Sequence, residues 1–263
     1  MNSINKSRNK TMKTSANVVS GKLLWVIALT AALTLLNSSL MSQEVEPGFK
    51  SLFNGKDLGG WAGRTNHWSV EQGAITGTTS INNPAKGNNF LIAQDKDTNL
   101  MVENFELRLS YRFQSDWGNS GIQYRSNDKG HSVVHGYQAD MEVGKKYSGI
   151  LYEEGGRGIL AERGQKVVIR DDAEKPGKHK IEVTGSVGVS SEIQSVIKDG
   201  DWNDYVVIAQ GDHLQHFING KLTVDVTDEQ EAKSARGGIL ALQVHAGPPM
   251  RIQFKNIRIK TLK

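Results

Sequence analysis

Short runs of alternating apolar and polar residues, separated by Gly, Asn and Asp, limit this chain more than any other feature. Phe105-Glu106-Leu107-Arg108-Leu109-Ser110-Tyr111-Arg112-Phe113 is one, and Trp202-Asn203-Asp204-Tyr205-Val206-Val207-Ile208-Ala209 is another. Gly238-Ile239-Leu240-Ala241-Leu242-Gln243-Val244 and the stretch from Met250 to Ile259 repeat the pattern. A period of two puts successive side chains on opposite faces of a strand, so each run reads as a half-buried strand. Between His216 and Val224 the pair Asn219-Gly220 supplies the two positive-φ positions of a type I′ hairpin turn. Residues 80–90 and 171–200 read as loops. Ser190–Ile197 reads as one or two helical turns, and Asp228–Ala232 as a short helix or turn. Many short strands at even spacing predict an all-β sandwich of two antiparallel sheets.

The N-terminus has a different character. Residues 1–22 carry Lys6, Arg8, Lys10, Lys13 and Lys22 with no acidic residue, and a 14-residue apolar run, Leu23–Leu36, follows. That run is shorter than the ~20 residues of a spanning helix and within the ~7–15 of a secretory signal. Asn37, Ser38, Ser39 and Ser42 follow it, so residues 1–42 read as a signal peptide cut near 39–43, with an uncleaved membrane anchor as the alternative. Without a cysteine, lipoprotein processing is excluded. The remaining residues, 43–263, read as one exported domain, periplasmic or secreted. Losing the leader removes five of the 32 basic residues and none of the 28 acidic ones. A chain of 27 basic and 28 acidic residues, net −1, remains. The basic balance therefore belongs to the leader and gives no support for nucleic-acid binding. No membrane association is expected after cleavage. The absence of cysteine also excludes disulfides, thiol chemistry and zinc–thiolate sites.

Three predicted strands carry unusual polar faces. Asn119, Gln123 and Arg125 alternate on one, Gln138, Asp140 and Glu142 on a second, and Gln243 and His245 on a third. If the strands share a sheet, amides, carboxylates, a guanidinium and an imidazole converge on one surface. Such groups bind hydroxyls and move protons. Tyr124, Tyr137, Tyr152 and Trp117 lie close enough in sequence to stack on the apolar face of a sugar. The same periodicity also fits an ordinary wet outer face of an antiparallel sheet. His245 runs into the rigid turn Ala246-Gly247-Pro248-Pro249, while His216 fits a core-rim position as well as a ligand. Asp140 and Glu142 with His245 offer a mixed oxygen/nitrogen site for a divalent cation, but no cofactor is predicted. No serine-hydrolase elbow, P-loop or dinucleotide fingerprint occurs.

Taken in order, several of these segments resemble the 3-keto-disaccharide hydrolase domain family, from about Phe49 to Lys260. The resemblance rests on Leu52-Phe53-Asn54-Gly55-Lys56-Asp57-Leu58 with Trp61, Asn119-Ser120-Gly121-Ile122-Gln123-Tyr124-Arg125 and Gly136-Tyr137-Gln138-Ala139-Asp140. It continues in Gly149-Ile150-Leu151-Tyr152, Asp201-Trp202-Asn203-Asp204-Tyr205 and Gly238–Gly247. Lys255 stands where the family often has Arg, and residues 171–200 are less family-like. The resemblance implies a concanavalin-A/laminarinase-like jelly roll and an oxidised sugar as substrate. It also implies cleavage of 3-keto-glycosides by elimination at C2/C1 followed by hydration. Strand geometry then nominates His245 and Glu142 as acid and base, with Arg125 and Gln243 at the keto oxygen. Gln123, Gln138, Asp140, Tyr124 and Tyr152 would bind substrate. Two rivals stand beside this reading. One is a non-catalytic carbohydrate-binding module. The other is a retaining β-glucanase, for which Gln138 and Lys145 stand where two catalytic carboxylates are wanted.

Overall fold

The computed structural model describes residues 46–263, and the signal peptide assigned to residues 1–42 lies outside them. Strands are numbered in chain order. Among the described residues one sheet has ten strands. They are β1 (Lys50–Ser51), β3 (Trp68–Glu71), β4 (Ala74–Thr78), β8 (Phe105–Phe113), β13 (Gln165–Asp171), β14 (His179–Ser186), β15 (Asn203–Gln210), β16 (His213–Ile218), β17 (Lys221–Asp228) and β19 (Arg251–Thr261). The other sheet has nine: β2 (Trp61–Ala62), β5 (Asn89–Asp95), β6 (Thr98–Asn99), β7 (Met101–Val102), β9 (Asn119–Asp128), β10 (Val134–Glu142), β11 (Leu151–Glu154), β12 (Gly158–Ala161) and β18 (Gly238–Val244). Among the described residues one short helix, α1 (Ser190–Ser195), stands outside the sheets.

The expected jelly-roll sandwich of two antiparallel sheets is thus what forms, with one departure: β13 pairs with β17 in parallel. The nine-stranded sheet runs β12-β11-β10-β9-β18-β5-β2, so the three polar-faced strands are neighbours. The stretch 171–200, read as a loop, contains the edge strand β14 and α1. β14 is exposed along almost its whole length, so burial leaves no one-sided hydrophobic pattern there for the sequence to show. The Asn219-Gly220 hairpin is present, with φ of 48° and 78° at its two turn residues.

Between the sheets the inward positions of the alternating runs interlock. Leu107, Leu109 and Tyr111 of β8 and Tyr205 and Val207 of β15 meet Ile122, Tyr124, Tyr137, Ala139, Met141, Leu240 and Leu242 of the facing sheet. Each large side chain withdrawn from water contributes about 1.5–3 kcal/mol. A second apolar group, Phe90, Ile92, Val134, Ile239 and Ala241, forms separately on the nine-stranded sheet. It faces away from the main core, on the side that carries the polar residues.

Candidate active site

The register sets the polar groups on a grid. Across β10 and β9, Gln138 lies opposite Gln123, Asp140 opposite Gly121, and Glu142 opposite Asn119. Ala241 of β18 lies opposite Gln123. Continuing that register brings Gln243 level with Gly121, and His245 level with Asn119. On the other side Tyr152 of β11 lies opposite Gln138. Directly opposed residues of an antiparallel pair share a face, so these side chains line the outer face of the nine-stranded sheet. Strands stand roughly 4.8 Å apart, which separates the Glu142 and His245 columns by about two strand spacings.

Hydrogen bonds order the centre of this grid. Ser126 Oγ donates to Gln123 Oε1 at 2.7 Å, and Gln123 Nε2 donates to Gln138 Oε1 at 2.7 Å. Gln243 Nε2 also donates to Gln138 Oε1, at 2.9 Å, and reaches Glu154 Oε2 at 3.3 Å. With its oxygen twice occupied, the Gln138 amide can only turn its Nε2 to Asp140 Oδ1, 2.5 Å away. Glu154 is steadied by Asn88 Nδ2 at 3.3 Å, and Asn88 Oδ1 accepts from Ala246 N–H at 3.1 Å. Gly121 is obligatory here, because a Cβ at that position would collide with the Gln138 side chain.

One atom of the network is unsatisfied, and one carboxyl is strongly perturbed. Gln243 Oε1 is buried and has no donor, a costly state unless a ligand hydroxyl supplies one. Asp140 is buried, and burial lifts its carboxyl well above the usual range. The Gln138 amide opposes that shift, while the Glu154 and Glu142 charges add to it. A carboxylate raised in this way is a stronger base than an ordinary one. The Tyr152 phenol is held protonated by burial and by Glu154 and Asp140, so it faces the site as a donor.

His245 follows β18 and is half-buried. Its Nδ1 lies 2.5 Å from Ala246 O, and its ring meets the edge of Trp117, with centroids 6.1 Å apart. Trp117 in turn lies over Gly247, where a Cβ would stand 2.7 Å from the indole. Ring and turn therefore hold each other at the sheet end.

Other residues nominated from the sequence sit elsewhere. Arg125 is not on the polar face. It occupies a bulge, with φ of +46°, where β9 carries one extra residue relative to both β10 and β18. The bulge turns its side chain off that face, and Gly136 and Gly238 admit the bulged backbone because a Cβ at either would strike Ser126 or Arg125. The Arg125 guanidinium donates to Glu103 O, Gly211 O and Ala235 O at 2.7, 2.6 and 3.2 Å, and to Asn104 Oδ1 at 3.2 Å. It is a clamp between loops. Tyr124 and Tyr137 are core residues, with the Tyr124 hydroxyl 2.9 Å from His216 Nε2. His216 is fully buried, not at a rim. Glu142 lies on the correct face, but its Oε1 accepts from Lys146 N–H and Tyr147 N–H at 2.5 and 2.7 Å, tying the turn after β10. Among the described residues no three His, Asp or Glu side chains converge to hold a metal ion, so Asp140, Glu142 and His245 do not form the mixed site considered from spacing.

Glu154, Asn88 and Ser126 were missed from sequence. Glu154 had a signal, since it follows Tyr152 by two residues and so shares its face. Asn88 and Ser126 had none, because they reach the site through a loop and a bulge.

Comparisons with known proteins bear on the fold and the family. Two solved structures of candidate glycosyl hydrolases from Parabacteroides distasonis resemble the chain. The first is 20% identical with a TM-score of 0.51, covering 85% of this chain and 98% of its own. The second is 21% identical with a TM-score of 0.51, covering 81% and 99%. A Bacillus subtilis protein of unknown function with a galectin-like fold gives a TM-score of 0.52 at 7% identity, covering 81% and 94%. These likenesses establish the jelly-roll fold. No curated protein sequence matches the chain. Residues 48–260 match the 3-keto-alpha-glucoside-1,2-lyase-like domain, which gives the chain a carbohydrate-related function. By that match over most of its length, the chain belongs to the 3-keto-alpha-glucoside-1,2-lyase-like domain family.

Proposed function

We propose that this protein is an exported enzyme that cleaves 3-keto-glycosides by elimination and hydration, with Asp140 as the base. The observation that carries the reading is the buried Asp140 carboxyl, raised by that burial and placed at the end of an ordered amide chain. A ketone at C3 acidifies the C2 proton. Asp140 removes it while the Tyr152 hydroxyl, opposite Gln138, donates to the enolate oxygen. The C1–O bond breaks, and His245 at the sheet end supplies the proton the departing oxygen needs. Water then adds across the new C1–C2 double bond: oxygen to C1, hydrogen to C2. The net reaction consumes one water and yields the 3-keto-sugar and the free alcohol.

Gln243 Oε1 accepts a substrate hydroxyl, which supplies the missing donor. Gln123 acts by fixing Gln138, and Glu142 by holding its turn. Family membership supports the substrate class. With Asp140, Glu142 and Glu154 on the face, a neutral sugar is favoured over a uronate, whose carboxylate these charges repel. Among the described residues no helix is long and apolar enough to cross a membrane.

The test is incubation with a 3-keto-aryl glucoside and its unoxidised parent. Release of the phenol from the keto form alone is expected. Binding of both without release would identify a carbohydrate-binding module, and release from the parent an ordinary glycosidase.

A further inference from the structure

The groups assigned to the reaction come in order along the strands. Tyr152 stands level with Gln138. Asp140 lies two residues further along β10, and Glu142, level with Asn119, two further still. His245 shares that last level. Each step of two residues advances about 6.8 Å. The reaction above gives Tyr152 to the oxygen on C3, Asp140 to the proton on C2 and His245 to the oxygen on C1. The sugar therefore lies with C1 toward the end of the sheet, and a group bonded to C1 leaves the sheet past His245.

Trp117 stands at that end. It precedes Asn119 by two residues on the chain entering β9 and is half-buried, with its ring centroid 6.1 Å from that of His245. Its backbone is fastened, because Ser115 Oγ donates to Trp117 O at 2.7 Å and accepts from Arg251 N–H at 2.9 Å. The other tryptophans of the described residues are otherwise engaged. Trp61 and Trp68 donate their indole N–H groups to Leu52 O and Asn89 Oδ1, at 2.8 and 3.0 Å. Trp202 carries the Arg112 and Lys255 cations over its ring, at 4.6 and 4.0 Å. Among the described residues nothing accepts from the Trp117 indole N–H, and no cation covers its ring. The half-buried Asn119 amide likewise makes no hydrogen bond to them. Neither polar group is sealed from solvent, so both are open to a ligand.

We propose that Trp117 and Asn119 form the subsite for the group bonded to C1, and that this subsite takes a ring with an apolar face and hydroxyls at its rim. The inference rests on the reaction proposed above. The indole covers the apolar face of such a ring, its N–H donates to one hydroxyl, and the Asn119 amide donates to or accepts from another. An indole already held in place loses little freedom when a ligand binds. A phenyl group would use the indole alone, and a methyl group neither residue.

The experiment uses three 3-keto-glucosides that carry methyl, phenyl or a second glucosyl group at C1. They are given to the parent protein, Trp117→Ala, Trp117→Phe and Asn119→Ala, with folding checked by circular dichroism and thermal midpoint. The readout is each kcat/KM relative to that of the methyl substrate. Trp117→Ala should lower both the phenyl and the glucosyl ratio about tenfold, through KM. Trp117→Phe keeps a ring over Gly247 and should restore the phenyl ratio but not the glucosyl one. Asn119→Ala should lower the glucosyl ratio alone. Ratios that Trp117→Ala leaves at the parent's values would overturn the subsite, and an equal loss on all three substrates, which leaves them there, would assign Trp117 to holding His245 instead. If Trp117→Ala does not fold, a Trp117→Phe glucosyl ratio equal to the parent's rejects the subsite and a lowered one supports it. If the parent turns over none of the three, the reaction reading fails, and calorimetry with the unoxidised disaccharide decides the subsite separately. Binding that Trp117→Ala weakens about tenfold supports it, while equal binding by parent and variant, or none by the parent, rejects it.

Discussion

The two faces of β9 and β10 carry polar networks of opposite temperament. Facing inward, Asp228 is fully buried, yet it receives Arg157 Nη2 at 2.6 Å, Arg157 Nη1 at 3.1 Å and the Tyr137 hydroxyl. Arg157 is further held by Glu153, its Nε 2.8 Å from Oε2. His216 has both ring nitrogens engaged, at 2.9 Å with the Tyr124 hydroxyl and at 3.2 Å with Ile150 O. Facing outward, Asp140 has a neutral amide as its side-chain donor, and Gln243 keeps a bare oxygen. The strands, the burial and even the residue classes are alike. What separates structure from function is whether the charges and lone pairs are answered within the fold. A network closed on itself holds the sheets together, and one left open awaits a ligand.

Asp140→Asn should cut turnover of a 3-keto-glycoside by about 10³-fold, the scale of a lost general base. The same change should stabilise the fold at neutral pH. A folded-state pKa raised above 3.8 favours folding at low pH, and that advantage is lost as pH rises through the raised value. The thermal midpoint of the variant should therefore gain on the parent as pH increases, and a gain that fades with pH would contradict the sign. Inward, the expectation reverses. Arg157→Met leaves Asp228 buried without its cation and should cost about 3–5 kcal/mol in denaturant unfolding, with kcat unchanged in whatever protein remains folded.

Arg125→Ala sharpens the contrast. Because the guanidinium serves backbone carbonyls of three loops, the variant should lose roughly 3 kcal/mol of stability rather than selectively lose activity. Arg125→Lys should recover part of it. His245→Ala should remain folded and lose about 10²-fold in kcat, with a larger loss for substrates whose leaving alcohol is more basic. The acid response of His216 shows only at low pH. Burial drives its pKa from 6.5 to about 3, so the native ring stays neutral while the unfolded one gains a proton. Stability from this group is complete above pH 6.5 and declines as pH falls toward 3. His216→Gln should flatten that part of the stability–pH curve in calorimetric scans.

Alternation by itself determined that this chain makes half-buried strands, which residues enter the core, and that Gln138, Asp140, Glu142, Gln243 and His245 point the opposite way. The reason is local, because a period of two is a property of any extended backbone. The positive-φ turn at Asn219-Gly220 was legible for the same reason. Tertiary structure decided the rest. One extra residue at the Arg125 bulge reversed its face, which no window of sequence shows, since the bulge exists only relative to Gly136 and Gly238 on neighbouring strands. The exposed edge strand β14 lacked a pattern because pairing with β13, rather than burial of one face, holds it in the sheet. Which carboxylate remains unanswered also depended on partners distant in sequence. Glu142 is claimed by a turn and Asp228 by Arg157, and only Asp140 is left buried among like charges, because electrostatic environment is a property of the assembled fold and not of the residue.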